Sequence, residues 1–421
     1  MLILNNMGKE ITSTGYQLPP LELLNEYAAD GNVVSEEEIA GKIDAIKNTL
    51  GKGKVQVKDI KVVPGPAVTL YKVYPERKVT VSKVRSLMED AALDLHWKGV
   101  RVVALDDSIG IEIANEHRAL VPIRSVLSDD AFRNSEAELP VAIGQTFGNK
   151  AVVFDLAKAP HLFVAGVIKQ GKTVAINAIV ASLLYSKRPE ELKFVFIDPK
   201  GCEFSAYGRL GGQYLASIPG ENPIVQTTVQ ADKTLAALCE EMEVRYSHLS
   251  GCGIGNIVEY NKQASTRGGR WPYIVTIVDE YADLAIPAGR DKESRNMSHR
   301  ITESIFRLAQ KGRAVGIHVI LSTQRPSKKV ITDSIKATFP TRIAVRTVTG
   351  SDSRIIIGTS GAEKLLGSGD MILQTGVETI RLQGAYISLD EINRLISYME
   401  SHTVSCSPYY IPEPDLESGI G

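Results

Sequence analysis

Cysteine is scarce in this sequence. Its four cysteines are Cys202, Cys239, Cys252 and Cys406, and no two of them form a C-x-x-C pair. Zinc sites and redox motifs depend on such short spacings, and disulfide frameworks depend on many cysteines in a small chain. The pattern therefore argues against a zinc site or a disulfide-stapled fold and favours reduced thiols in a cytosolic setting.

Long apolar runs are also missing. No stretch reaches the roughly 18 apolar residues that indicate a membrane-spanning helix. The N-terminus lacks the basic and then apolar pattern of a signal peptide. We therefore expect no membrane contact from this chain itself, and a cytoplasmic location, either alone or as the cytoplasmic part of a membrane-anchored protein.

An excess of charge of one sign is absent as well, since 48 Lys and Arg residues face 49 Asp and Glu residues, for a net charge of −1. This balance excludes a protein that coats nucleic acid as a polycation. If the chain binds nucleic acid, its positive charge must be gathered locally, on a loop or in a channel. The 43% of hydrophobic residues is typical of a globular protein with a full core.

The hydrophobic pattern divides the chain into four parts. Residues 1–33 are predicted to form an extended lead-in, and residues 413–421 a loose tail. Residues 34–124 have the element order α-β-β-α-β-β, which predicts a small α+β domain. In residues 125–412 short buried strands alternate with helices, which predicts an α/β domain with a mostly parallel sheet between helices.

A phosphate-binding motif follows the apolar strand LFVAG, where Gly166 and four further residues precede Gly171-Lys172-Thr173. The flanking strand and helix are the context this motif needs, and they argue against a chance match. Loop N–H groups and the helix N-terminus would face the phosphates of ATP, Lys172 would hold the β- and γ-phosphates, and Thr173 would bind Mg²⁺. The predicted nucleotide-binding residues are Gly166, Val167, Ile168, Lys169, Gln170, Gly171, Lys172, Thr173 and Val174.

Two further strands end in polar residues. YIVTIVDE places Asp279 and Glu280 at the carboxyl end of a strand, where ligands of parallel sheets gather. Asp279 can bind Mg²⁺, and Glu280 can orient or deprotonate the attacking water. The strand ILST runs into Gln324, which either reports the γ-phosphate to a moving loop or lies in an ordinary turn before Pro326.

Two arginines are ambiguous from the residues alone. Arg313 lies at a predicted helix end, where it either reaches a neighbouring active site or simply caps the helix, and the cap is favoured. Arg354, in the polar loop TVTGSDSR, either faces a phosphate backbone or lies in a solvated turn, and the turn is favoured.

The ordered series IDPKGCEFSAY, YIVTIVDEYADL, LAQKGRAVGIHVILSTQRPS and DSRIIIGTSGAEKLLGSGDM resembles the motor of the FtsK/SpoIIIE family of double-stranded DNA translocases. The likeness begins near residue 18, in a segment similar to that family's α domain. It implies a RecA-like P-loop NTPase core, and a homohexameric ring that hydrolyses ATP to move double-stranded DNA in chromosome partition at cell division.

The resemblance also implies roles for single residues. The implied set is a Walker A pair of Lys172 and Thr173, a Walker B pair of Asp279 and Glu280, a sensor Gln324, an arginine presented across the subunit boundary, Arg313, and two DNA contacts, Arg325 and Arg354. The sequence departs from the family pattern at Lys169, where glycine is usual, and at Gly350, where lysine is frequent. A left-handed Lys169 would cost roughly 1–2 kcal/mol unless the loop shifts.

Two alternatives stay open. A related ring ATPase could move single-stranded DNA in conjugation or a polypeptide in secretion. The unusual loop could also belong to a ring that binds nucleotide without hydrolysing it, against which Lys172, Thr173, Asp279 and Glu280 argue because all four are present.

Overall fold

The computed structural model describes residues 2–4, 10–12, 16–27, 34–264, 269–402 and 407–414. Strands β1 (Leu2–Leu4) and β2 (Glu10–Thr12) form a short antiparallel pair. Residues 16–27 hold one 3₁₀ turn, Leu21–Leu23, yet they are more than a lead-in, because Tyr16 and Leu24 are buried in the largest hydrophobic core. Of the predicted tail, residues 413 and 414 are described, and Glu413 pairs there with Lys233 at 3.0 Å; residues 415–421 lie outside the described residues.

A small α+β unit follows. Its four-stranded antiparallel sheet has the order β3-β4-β6-β5. Its first helix begins where predicted, because the Ser35 side chain accepts a hydrogen bond from the Glu38 N–H. In chain order the elements are α1 (Glu36–Lys52), β3 (Val57–Val63), β4 (Val68–Pro75), α2 (Val81–Asp94), β5 (Arg101–Ala104) and β6 (Ile109–Ala114).

A ten-stranded sheet forms the centre of the rest of the chain, in the order β12-β10-β13-β14-β9-β15-β16-β17-β7-β8. The strands from β12 to β15 in this order are parallel, and the last four are antiparallel. The strands are β7 (Pro140–Gln145), β8 (Ala151–Asp155), β9 (His161–Ala165), β10 (Leu192–Ile197), β12 (Ile224–Val225), β13 (Tyr273–Val278), β14 (Ile317–Thr323), β15 (Thr341–Val345), β16 (Asp370–Thr375) and β17 (Glu378–Gly384); two short strands, β11 (Ala216–Ser217) and β18 (Tyr409–Tyr410), pair beside it.

Helices cover both faces of this sheet and bury one hydrophobic core on each side. They are α3 (Ile123–Leu127), α4 (Asp130–Arg133), α5 (Lys172–Ser186), α6 (Gly211–Tyr214), α7 (Thr228–Cys252), α8 (Ile257–Lys262), α9 (Tyr281–Ala285), α10 (Lys292–Lys311), α11 (Asp333–Thr338), α12 (Gly350–Ile357) and α13 (Leu389–Ser401). The α/β fold with a mostly parallel sheet is as predicted. The domain boundaries near residues 33, 124 and 412 stay predictions.

The antiparallel strands were not expected from the sequence. β16 and β17 form a hairpin that turns at Gly376, whose φ of 61° suits glycine. β7 and β8 form a second hairpin that pairs with β17 through Gly144 and Gln145. Both hairpins extend the sheet beyond the strands that the alternation of strands and helices predicts.

A buried ion-pair network joins the small unit to the large sheet. The Arg381 side chain is 2% exposed, and its guanidinium lies 2.9 Å from Glu112 of β6 and 2.7 Å from Asp370 of β16. Asp370 and Glu112 raise the pKa of Arg381 against the lowering effect of its burial. Because removal of one partner of such a pair leaves a buried charge, these contacts fix the two sheets relative to each other. Within the described residues, no helix is long and apolar enough to cross a bilayer.

Candidate nucleotide site

The phosphate-binding motif forms a tight loop between β9 and α5. Gly166 is in contact with β15, where an added Cβ would lie 2.4 Å from a Val345 methyl carbon. Gly171 has φ 108°, and a Cβ there would lie 2.9 Å from the Gly369 nitrogen. Both glycines are therefore required by close backbone approach and, at Gly171, by the left-handed conformation.

The residue at the unusual position, Lys169, has φ 62° and an exposed side chain. The loop has not shifted to avoid the left-handed conformation, so Lys169 bears the strain. The backbone N–H groups of residues 168–174 donate to no acceptor within the described chain, whereas Ala175 bonds to Gly171. A loop and helix start with unused N–H groups is a site for an anion such as a phosphate.

Lys172 begins α5 and is buried, with 4% of its side chain exposed. Its ammonium group donates to Asp279 Oδ1 at 2.7 Å, to the Asp279 carbonyl at 3.1 Å and to Ser322 Oγ at 3.2 Å. Asp279 Oδ2 is buried and has no hydrogen-bond partner among the described residues. The contact brings together three elements that end at the same edge of the sheet, β13, β14 and the loop after β9.

Glu280 lies beside this pair and is 1% exposed. The Thr323 hydroxyl donates to its carboxylate at 2.5 Å, and the backbone N–H of Gln324 donates to it at 3.0 Å. Lys200 Nζ is 3.6 Å from Glu280 Oε2. These contacts hold the carboxylate in one orientation, which is what a general base or a water-positioning group requires.

Another carboxyl group, Glu203, reaches the same place, although no motif led us to expect it. Burial raises the pKa of Glu203, and the nearby Asp279 carboxylate adds to that rise. Its loop is shaped by Asp198, which follows β10 and accepts hydrogen bonds from four backbone N–H groups, those of residues 200, 201, 203 and 204. A buried aspartate at the end of the strand beside β13 is the signal that could have identified this loop.

A cavity of about 330 Å³ opens next to the loop. Gln324 lines it together with Lys169, Lys172, Thr173 and Val174. Its far wall is mainly apolar, and sequence reasoning did not identify the residues there, which are Leu120, Met371, Gln383 and Tyr386. Such a cavity, apolar with a few convergent polar groups, is typical of a small-molecule site.

A protein-only metal centre is not present among the described residues, since no group of three or more His, Cys, Asp or Glu could hold an ion there. The donor set nevertheless fits Mg²⁺, which is bound by one or two protein oxygens together with substrate phosphates and water. The buried and unpaired Asp279 Oδ2 is an available oxygen, and the Thr173 hydroxyl lies at the start of the neighbouring helix.

Arg313 is not part of this cluster. It is exposed in a 3₁₀ turn, Gly312–Val315, that precedes β14, whereas Gln324 follows the other end of that strand. At about 3.3 Å per residue, the seven residues of β14 separate the two positions by roughly 20 Å. The Arg313 side chain has no hydrogen bond or ion pair with the described residues.

The two predicted DNA contacts lie on the surface. Arg325 is 63% exposed and pairs weakly with Asp283 at 3.5 Å. Arg354 is also exposed, but the loop predicted around it is a helix, α12. Thr349 and Asp352 cap that helix reciprocally, so the T-x-x-D pattern starts a helix where we expected a loop.

Family models match both units of the chain. Residues 122–328 match the FtsK/SpoIIIE family and residues 18–115 the FtsK alpha domain. The DNA translocase FtsK of Chlorobaculum tepidum is 40% identical over 96% of this chain and 50% of its own length. That of Haemophilus influenzae is 39% identical over 89% and 73%, and the DNA translocase SpoIIIE of Bacillus subtilis 38% identical over 93% and 49%. The chain thus spans about half the length of the Chlorobaculum and Bacillus relatives.

Solved structures share the fold. The pCW3 conjugation coupling protein TcpA, in monomer form with ATPgS, superposes with a TM-score of 0.60 and 24% identity over 85% of this chain and 98% of that one. The cytoplasmic domain of the type VII secretion ATPase EccC of Thermomonospora curvata gives a TM-score of 0.55 and 21% identity over 70% and 35%. Similarity at these identities shows the fold alone, that of RecA-like P-loop ATPases.

Proposed function

Because the chain belongs to the FtsK/SpoIIIE family, we propose that it is an ATPase that moves double-stranded DNA through a homohexameric ring in chromosome partition at cell division. The observation that carries this function is the single cluster of Lys172, Asp279 and Glu280 beside a loop with unused N–H groups. A nucleotide-binding ring without hydrolysis would have no need of the buried, oriented Glu280.

Lys172 is the group that would grip the β- and γ-phosphates. In the free protein its charge is neutralised by Asp279, so it enters binding already positioned at the base of the loop. When phosphates take over the ammonium group, Asp279 loses its partner and becomes available to a cation. Thr173 and Asp279 would then hold Mg²⁺, which neutralises developing charge on the phosphates when it is bound.

Glu280 would orient and deprotonate the water that attacks the γ-phosphate. Thr323 and the Gln324 N–H keep its carboxylate fixed before nucleotide arrives, which limits the reorganisation needed during reaction. Gln324 also lines the cavity, so departure of the γ-phosphate is sensed by a residue bonded to the base. We propose this link as the route from hydrolysis to movement of the loop that carries Arg325.

Arg313 supports assembly into a ring. It lies at the opposite edge of the sheet from its own Lys172, about 20 Å away, so it cannot stabilise phosphate charge in its own site. A head-to-tail interface would bring this edge of one protomer against the nucleotide of the next, and such an interface forms a ring when the rotation between protomers closes. The six-fold number is taken from the family.

Double-stranded DNA is the proposed substrate, and the surface arginines Arg325 and Arg354 are its proposed contacts. Arginines that bind phosphates position a duplex without reading its sequence, so affinity should depend on salt and hardly on base sequence. The net charge of −1 is compatible with this role because only the channel needs positive charge.

ATP hydrolysis measured with different polymers tests the function. We expect duplex DNA to raise the turnover at least tenfold over buffer, and single strands and an unfolded polypeptide to raise it far less. Lys172→Ala should abolish ATP binding and serves as the background control. If single strands or polypeptide stimulate turnover as much as duplex DNA or more, that polymer is the substrate instead. Turnover at the Lys172→Ala level with every polymer would refute the proposed ATPase activity itself.

A further inference from the structure

Side chains of another helix, α7, hold the turn that carries Arg313 in place. Two neighbouring residues of α7 bind a carbonyl group at each end of it. Arg245 donates to Val315, the last residue of the turn, at 2.8 Å, and the Tyr246 hydroxyl donates to Lys311, the last residue of α10, at 2.8 Å. Gly316 closes the turn with φ 76°. Such a turn is rigid at its ends, while the Arg313 side chain remains exposed between them.

Arg245 is the centre of a wider network. Its side chain is 2% exposed, and it also donates to the Pro272 carbonyl at 2.9 Å and to Glu241 at 2.8 Å. Pro272 directly precedes β13, the strand that ends at Asp279. One guanidinium therefore links the Arg313 turn to the strand that leads into the catalytic carboxylates, at the cost of burying a charge that an apolar side chain would avoid.

The remaining nitrogen of the Arg245 guanidinium binds Tyr409 of β18, the short strand that pairs with β11 beside the large sheet. Arg245 Nη2 donates to the Tyr409 hydroxyl at 2.8 Å, and that hydroxyl donates to Glu241 at 2.6 Å. Burial raises the pKa of Tyr409 to about 12, so the hydroxyl stays protonated and can do both. The strand is anchored to the large unit by a further bond, from the Ile411 N–H to the Ser217 carbonyl at 3.0 Å.

We propose that Tyr409 acts through Arg245 as a positioning residue for Arg313, so that the segment 407–414 controls how well one protomer completes the active site of the next. This inference rests on the proposed cross-subunit role of Arg313. It adds to that role a specific contact, the hydrogen bond between Arg245 and the Tyr409 hydroxyl, which comes from a strand outside the ten-stranded sheet.

Tyr409→Phe tests this hydrogen bond with little risk to the fold, because it keeps the aromatic ring of the side chain and removes only the hydroxyl. Tyr410→Phe is the matched control, one residue along the same strand on an exposed side chain. We expect Tyr409→Phe to lower DNA-stimulated turnover about tenfold with the KM for ATP within about twofold, since misplacing a remote group affects the chemical step more than binding. Tyr410→Phe should match the wild type.

Mixed rings separate positioning from damage to the fold. Glu280→Gln protomers have an inactive site but an intact Arg313, so in an equal mixture with Tyr409→Phe about one quarter of the sites pair a working Glu280 with a well-placed arginine. Turnover should then be about fivefold above the value calculated for two proteins that do not exchange protomers. An equal mixture of Arg313→Ala and Glu280→Gln calibrates the experiment.

The outcomes are distinct. No recovery in the Arg313→Ala mixture would refute the cross-subunit role, and with it this inference. Recovery there, combined with wild-type turnover of Tyr409→Phe or no gain when it is mixed with Glu280→Gln, would overturn the positioning role alone. Weaker ATP binding by Tyr409→Phe itself would also overturn it, because Tyr409 would then act on its own subunit's site.

Discussion

Lys169 is the departure from the family pattern whose consequences are most open to measurement. It holds φ 62° in a loop whose N–H groups from residue 168 to residue 174 donate to no acceptor in the described chain. A side chain with a Cβ in this conformation is strained by roughly 1–2 kcal/mol. Replacing it with glycine removes that strain but adds about 0.5–1 kcal/mol of conformational freedom to the unfolded chain. We therefore expect Lys169→Gly to stabilise the protein by about 0.5–1 kcal/mol.

ATP binding should change in the opposite direction. If the loop keeps its conformation when ATP binds, the strain is equal in the free and bound states and has no effect on affinity. The substitution removes a positive charge near the phosphates. For an exposed lysine this should weaken the binding free energy by on the order of 1 kcal/mol, which is about fivefold in ATP affinity at low salt. The loss should shrink as salt rises.

Urea denaturation and nucleotide titration test both parts. Lys54→Gly is the matched control, because Lys54 has φ 58° and an exposed side chain but lies in the small unit. It should be stabilised to a similar extent with unchanged ATP affinity. Stabilisation of Lys54→Gly but not of Lys169→Gly would refute the left-handed loop, and tighter ATP binding by Lys169→Gly would refute the assumption that the loop has one conformation in both states.

Three further predictions follow from the buried and surface charges. Glu280→Gln should bind ATP within about threefold of the wild type, yet lose at least about 100-fold in DNA-stimulated phosphate release, because the base is gone while the loop is intact. Burial lowers the pKa of His161 to about 3 and that of His318 to about 4, so the folded state keeps both neutral. The free energy of unfolding should therefore fall as the pH drops below 6.5, by about 1.4 kcal/mol per pH unit for each histidine. The contribution of His318 should level off near pH 4 and that of His161 near pH 3. Arg354→Ala should reduce the salt dependence of duplex binding by about one phosphate contact.

Each of these has a control. Glu280→Asp keeps the charge but shortens its reach, so near-normal turnover of Glu280→Gln but not of Glu280→Asp would contradict a role as base. A His318→Gln variant should show about half the slope of stability against pH between pH 6.5 and about pH 5, and an unchanged slope would contradict the buried neutral pair. For DNA binding the exposed Arg133 on α4 is the comparison. If Arg133→Ala and Arg354→Ala change the salt dependence of duplex affinity equally, the proposed contact between Arg354 and DNA is refuted.

Local patterns predicted the parts of the site that are contiguous in sequence. The apolar strand, two glycines and Lys172-Thr173 specify a strand, a loop and a helix start whatever surrounds them. Asp279 and Glu280 follow a strand buried on both faces, and the meeting of parallel strand ends at one edge of the sheet brings them to Lys172.

Features built from distant residues could not be predicted in the same way. Four local N–H groups bound to the Asp198 carboxylate shape the loop of Glu203, but Glu203 comes near Asp279 only because β10 and β13 are neighbours in the sheet. The turn at Gly369, which packs on Gly171, comes from a hairpin nearly two hundred residues later in the chain, so its contact with the loop is set by sheet order rather than by sequence. The helix around Arg354, by contrast, had a local signal in its capping pattern.

Movement along duplex DNA, measured directly, tests the central claim. A third strand bound at one end of a linear duplex reports the arrival of a translocating ring, because the ring must displace it. We predict that the wild-type protein displaces the strand when ATP is present, and that Glu280→Gln, which binds ATP, leaves it in place. Hydrolysis stimulated by duplex DNA without displacement, or displacement by Glu280→Gln at the wild-type rate, would contradict the account.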